Sequence, residues 1–309
     1  MTVSDVLKSL TRFIRKIKLK DLLKMKKIGF IDYFIDEWHA NNYPKWIKES
    51  KFSDRFEVGM AWEEFTPEGK KGLDQWCREM NVRPASSIEQ VVEECDCICV
   101  LSPDNAERHE DLAALALTSG KPVYIDKTFA PSLEIAGRMF ARAEKHSTPL
   151  MSSSALRFGS EFEKALADTG SLPVNSAMTV GSGRSFEIYA IHQLEMLVKT
   201  LGTGAQRVFQ STNGIAHAML IEYADKRRGT VNFIPGQSFQ ITIQYGEDKS
   251  ICVNQMTDFF PRFIEKMLYF FDTGIPQVPK AETLEIAALI EAGTSALKNP
   301  GGWVKVPRS

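Results

Sequence analysis

No apolar run in the chain approaches the ~20 residues that a membrane-spanning helix needs, so no integral membrane segment is expected. Neither sign of charge dominates. The 38 basic and 39 acidic side chains leave a net charge of −1, which argues against the basic face that nucleic acid requires. Cysteine is scarce, and three of the five fall in Cys95-Asp-Cys-Ile-Cys99. That alternation is strand spacing, not zinc-ligand spacing. It predicts small buried hydrophobes in a reducing cytoplasm, and no metal site. Internal repeats and low-complexity linkers are also missing. A chain of 309 residues with 43% hydrophobic content has material for two sizeable cores.

Residues 1–24 form a basic N-terminal extension, with Arg12, Arg15, Lys16, Lys18 and Lys20 among leucines and isoleucines at helical spacing. The fold is expected to start at Met25, with the extension peripheral to it. Lys27 to Asp32 reads as a first strand, Phe34 to Trp46 as turn and helix, and Phe56 to Trp62 as a second strand. Helices are expected at 69–80, at 87–94 behind a capping Ser87, and at 107–119. A strand is expected at 95–101. Strand–helix alternation continues to about residue 153 and predicts a doubly wound parallel sheet over 25–153. Residues 154–309 read differently. Strand-like runs at 177–181, 216–223, 229–234 and 239–246 are separated by turn signals, and helices are expected at 188–201, 260–273 and 281–298. This predicts an α+β domain with a large, mostly antiparallel open sheet.

Within the first domain, Val123-Tyr-Ile-Asp-Lys127 is a short buried strand that ends on a charged pair. A lysine at the carboxyl end of such a strand stands where open α/β sheets place ligands, so Lys127 is the first candidate for chemistry.

Four stretches in order resemble the Gfo/Idh/MocA family of oxidoreductases. They are Ser102-Pro-Asp-Asn-Ala-Glu-Arg-His109, Gly120-Lys-Pro-Val-Tyr-Ile-Asp-Lys-Thr128, the helix Ile188 to Gly202 around His192, and Phe270 to Ile286. The resemblance implies a Rossmann domain, a substrate-binding and oligomerisation domain, NAD or NADP, and a sugar- or polyol-like small-molecule substrate. It implies that Lys127 orients substrate and that His192 takes the hydroxyl proton. Asp126, where the family usually has Glu, would contact cofactor or Lys127. Glu195, one turn after His192, would bind a sugar hydroxyl or hold the imidazole. Thr128 stands where the family has Pro, which leads one to expect an ordinary trans bond before it.

The chain departs from the family at the loop after the first strand. A G-x-G-x-x-G loop is expected there, to let backbone approach pyrophosphate. Asp32, Phe34 and Ile35 occupy the loop instead, followed by Asp36 and Glu37. Glu63 or Glu64 closes the second strand where an acid would bond the adenosine ribose, which favours NAD over NADP. Ser102, Pro103, Asn105 and His109 would line the cofactor floor. Arg157 and Arg184 are candidate substrate contacts. His39, beside Trp38 and Tyr43, makes the first helix polar-aromatic at its start, which suits contact with a polar ring. The leading expectation is a nicotinamide-dependent oxidoreductase, cytoplasmic and a homodimer or homotetramer through the second sheet. The alternatives are a sugar-derivative binding or regulatory protein without dinucleotide, and a non-redox lyase or isomerase.

Overall fold

The computed structural model describes residues 25–308; the basic extension 1–24 lies outside the described residues. Six parallel strands form the first sheet in the order β3-β2-β1-β4-β5-β6. They are β1 (Lys26–Asp32), β2 (Phe56–Glu63), β3 (Arg83–Pro84), β4 (Cys97–Val100), β5 (Val123–Ile125) and β6 (Leu150–Met151). Helices α1 (Trp38–Glu49), α2 (Leu73–Met80), α3 (Ile88–Glu94), the single turn α4 (His109–Leu112) and α5 (Leu133–Lys145) connect them. The strand order reverses between β1 and β4, which opens a crevice at the carboxyl ends of the strands.

Central β1 is buried from Ile28 to Asp32, because helices cover both faces of the sheet. Gly29 is needed there, since a Cβ would lie 2.4 Å from Val91 Cγ1 of α3. Ser87 caps α3 by accepting from Gln90 N at 3.3 Å, and Ser132 caps α5 by accepting from Ile135 N at 3.3 Å. The helix expected over 107–119 is broken into single turns at 106–108, 109–112 and 116–118. Its His109 ring is held at both edges by carbonyls of the β4 and β5 loops, which fixes the backbone there.

The second sheet has seven strands in the order β12-β11-β7-β10-β9-β8-β13. They are β7 (Val174–Gly181), β8 (Ala205–Thr212), β9 (His217–Tyr223), β10 (Arg228–Phe233), β11 (Gln240–Tyr245), β12 (Lys249–Val253) and β13 (Trp303–Lys305). Only the β7–β10 pair runs parallel. Helix α6 (Ser160–Asp168) precedes β7, and α7 (Phe186–Leu201) and α9 (Lys280–Lys298) cover one face. The opposite face is mixed, with Thr230, Asn232, Thr242 and Gln244 beside Met178, Leu220 and Phe209.

Helix α8 (Phe259–Thr273) returns to the first sheet. Its Phe263, Ile264, Met267, Leu268, Phe270 and Phe271 join the core built on β1 and α1. Helix α7 is buried nearly all round, because it is clamped between the second sheet and the parallel-sheet half. That clamp carries His192 to the carboxyl edge of the parallel sheet. Among the described residues, no helix is long and apolar enough to cross a membrane.

Candidate active site

A cavity of about 150 Å³ lies at that edge, lined by His39 and Tyr43 of α1, Asp126 and Lys127 after β5, and Ser153 and Ser154 after β6. His192 of α7, Phe239 before β11 and Phe259 and Phe260 of α8 complete it. Six separate segments thus converge, as ligand sites at strand ends require.

Lys127 is 5% exposed. Its Nζ donates to the Pro103 carbonyl at 3.1 Å and lies 5.8 Å from the Tyr189 ring centroid. The Lys127–Thr128 peptide is cis, a correction to the trans bond expected from threonine. Asp126 is fully buried, yet three donors surround its carboxylate. They are Lys127 N at 2.7 Å, Tyr124 Oη at 3.1 Å and the His39 ring through Nδ1. Burial alone would raise its pKa. The His39 charge and hydrogen bond, together with Lys127, outweigh burial and hold it below the usual carboxylate value.

His192 has the opposite surroundings. Burial first, then the charges of Lys127 and His39, push its pKa well below the ordinary histidine value. It is therefore a neutral imidazole at neutral pH. Ser154 Oγ holds its Nδ1 at 2.7 Å, and Tyr189 and Phe239 pack edge-on to its ring. The cavity thus contains two imidazoles in different surroundings, one paired with a carboxylate and one kept neutral by burial and neighbouring cations.

Arg157 and Glu195, expected to touch substrate, are not brought to the cavity wall. They are buried against each other at 2.8 Å, and Arg157 also pairs with Glu282. Glu195 Oε1 accepts from Ser154 N at 3.1 Å, so the pair supports the serine that holds His192. Burial raises the Glu195 pKa, against the opposing pull of Arg157. Arg184 is largely exposed, pairs with Asp104 and lies over Tyr189.

The expected cofactor residues have other partners. Asp32 is fully buried; its Oδ1 accepts from Ser102 Oγ at 2.9 Å and its Oδ2 has no partner. Burial raises its pKa well above the ordinary value. Ser102 sits at φ 63°, a conformation strained for a non-glycine residue, and its Oγ accepts from Tyr33 N at 2.8 Å. Glu63 accepts from Ile35 N at 2.9 Å, Leu73 N at 2.8 Å and Thr66 Oγ1 at 2.6 Å. Phe34 packs edge-on to Phe65, and Asn105 donates to Glu107. His109 is a bracket, with Nε2 2.7 Å from the Leu101 carbonyl and Nδ1 3.0 Å from that of Phe129.

Sequence reasoning missed Ser154 and the aromatic wall from Phe239, Phe259 and Phe260. A signal existed for the serine, in the run Ser152-Ser-Ser154 directly after a strand. None existed for the phenylalanines, which arrive from segments far along the chain.

Residues 48–154 match the Gfo/Idh/MocA model, described as an oxidoreductase family with an NAD-binding Rossmann fold. Over that stretch the parallel-sheet domain is similar to the Gfo/Idh/MocA oxidoreductases. The match begins after the loop that follows β1. Among solved structures, scyllo-inositol dehydrogenase from Lactobacillus casei, with NAD(H) and scyllo-inositol bound, aligns at a TM-score of 0.76 and 15% identity. The alignment covers 92% of this chain and 99% of that one. The WlbA dehydrogenase from Bordetella pertussis, in complex with NADH and UDP-GlcNAcA, gives 0.74 and 15% over 93% of this chain and 100% of that one. GenD2 from gentamicin A biosynthesis, in complex with NAD, gives 0.75 and 12% over 93% and 98%. At these identities the likeness establishes the fold. No curated protein sequence matches the chain.

The dinucleotide that the family description names would lie across the β1–β4 crevice. The residues of the parallel-sheet domain do not fit it as the loop stands. No glycine follows β1 before α1. Glu64 N donates to Asp32 O at 3.1 Å and Phe65 N to Tyr33 O at 3.2 Å, which continues the β1–β2 pairing beyond the strand ends. The rings of Tyr33 and Phe65 meet at 4.6 Å over that pairing, and Arg108 lies on Tyr33 and binds Glu64 through both carboxylate oxygens.

Proposed function

We propose that this protein is an oxidoreductase acting on a hydroxyl or ketone of a sugar- or polyol-like small molecule in the cavity between its two halves. The observation that carries the reading is the convergence of Lys127 and neutral His192 on one small, largely enclosed cavity. A neutral imidazole accepts a proton from a substrate hydroxyl, and the adjacent ammonium stabilises the alkoxide as it develops. Ser154 fixes the His192 ring, and the Pro103 carbonyl tethers Lys127. His39, held by Asp126, offers a second polar contact for a neighbouring hydroxyl. Phe239, Phe259 and Phe260 give the cavity an apolar wall suited to the C–H face of a ring.

The family description names an NAD-binding fold, and the structural neighbours above hold NAD or NAD(H), so NAD is the hydride acceptor to test. The roles derived for this chain are limited to proton transfer and orientation. The test incubates the full chain with NAD and a panel of inositols, hexoses and sugar acids and follows NADH. NADH from at least one polyol, lost in Lys127→Ala and His192→Asn, supports the reading. Removing a general base costs roughly 100- to 10,000-fold in rate.

A second reading is favoured by the paired His39–Asp126 opposite neutral His192. One imidazole bonded to a carboxylate and one that accepts a proton suit elimination or isomerisation without hydride exchange. If no polyol yields NADH but deuterium from heavy water enters one of them at carbon, this second reading replaces the first.

A further inference from the structure

We propose that Glu37 is the residue that governs dinucleotide affinity in this chain, because its carboxylate stands where a dinucleotide phosphate would bind. The inference rests on the oxidoreductase reading for its biological sense, but not for its geometry. In open α/β sheets the pyrophosphate sits on the first turn of the helix after β1, where backbone N–H groups have no partner within the helix. Here Glu37 is the N-cap of α1, in extended conformation with φ −125° and ψ 170°. Its side chain folds back onto that turn and accepts from His39 N at 2.7 Å and from Ala40 N. The amides that would receive a phosphate are thus already bonded to a carboxyl group from the chain itself. Glu37 is only 7% exposed, so this is a built-in contact and not a surface side chain resting on the helix.

A second, independent observation makes the same position hostile to phosphate. Asp32 is fully buried at the end of β1, with Oδ2 unpartnered. Burial first, then Asp32 and Asp126, raise the proton affinity of Glu37, and burial with Asp126 raises that of Asp32. A pyrophosphate placed there is repelled by Asp126, whose pKa is held low, and raises the cost of ionising Asp32 and Glu37 further. Removing the Glu37 side chain leaves α1 intact, because glycine is itself a common N-cap, and it frees the two amides.

The experiment titrates NADH into the full-length wild-type chain, Glu37→Gly and Glu37→Gln, reading nicotinamide fluorescence with ADP-ribose as competitor. Circular dichroism melts confirm that each protein is folded. We expect Glu37→Gly to bind NADH roughly tenfold tighter than wild type, the scale of one charge at a helix terminus plus relief of repulsion. Glu37→Gln keeps the bulk and loses the charge, so it should gain less. Should Glu37→Gly not fold, a gain in Glu37→Gln decides in favour and its absence decides against. Equal binding by wild type and variants overturns the proposal, and so does no binding by any of them. NADH bound more tightly by the variant, with no polyol oxidised by either protein, sinks the functional reading and leaves this one standing.

Discussion

Replacing Arg157 by methionine removes one half of a buried ion pair and keeps most of the side-chain volume. Both side chains of the Arg157–Glu195 pair are 4% exposed. After the change Glu195 retains only the Ser154 amide, and Glu282 also loses its partner. Removing one partner of a buried pair costs about 3–5 kcal/mol, because the remaining charge stays desolvated. At 2–4 °C per kcal/mol for a chain of this size class, the midpoint should fall by roughly 6–20 °C. The deficit should depend on pH. Burial already raises the Glu195 pKa from 4.5 against the pull of Arg157, and without that cation it rises further. A carboxyl whose folded pKa exceeds its unfolded one binds more protons when folded, so stability falls as pH rises from the unfolded value through the folded one. Urea unfolding of Arg157→Met at pH 5 and pH 8 should therefore show the larger loss at pH 8. The double variant Arg157→Met with Glu195→Leu should recover most of it. A loss below about 1 kcal/mol at pH 8, or a double variant no more stable than the single one, refutes the reasoning.

Three further outcomes are expected. Ser154→Ala frees the His192 ring without touching Lys127, so kcat on an identified polyol should fall by up to roughly 100-fold with KM little changed, as steady-state kinetics would show. Burial first, then Lys127 and His39, hold the His192 pKa well below 6.5. The unfolded chain then binds the extra proton, and stability is lost as pH falls below 6.5. His192→Asn should accordingly lose less stability than wild type between pH 7.5 and 5.5 in urea titrations. Gly29→Ala drives a methyl to within 2.4 Å of Val91 and should cost about 1–3 kcal/mol, measured as a lower urea midpoint at unchanged slope.

The alternating strands and helices up to residue 153 were legible because their periodicities are local. The continuous apolar run of β1 and the caps Ser87 and Ser132 show directly in the letters. Lys127 was legible too, since a charged residue that ends a buried strand stands out from its neighbours. His39 was visible as an unusual polar-aromatic helix start, but nothing in the sequence joined it to Asp126, 87 residues away. Arg157 and Glu195 read as polar candidates for substrate. Which polar groups face a ligand and which face each other depends on how α7 is clamped, and no local pattern carries that.

By itself the sequence determined the parallel sheet, the strand-end lysine, the histidine of α7 and the absence of glycines after β1, because each is a matter of residue type and near spacing. Only the tertiary structure decided what the missing glycines mean. The Glu37 carboxylate caps its own helix, Glu63 holds the loop, and Tyr33 meets Phe65 beyond the strand ends. It also decided that six segments enclose one cavity in which one histidine pairs with a carboxylate and the other is held neutral. Burial and neighbouring charge set a group's proton affinity, and both belong to the packed chain, not to the order of its residues.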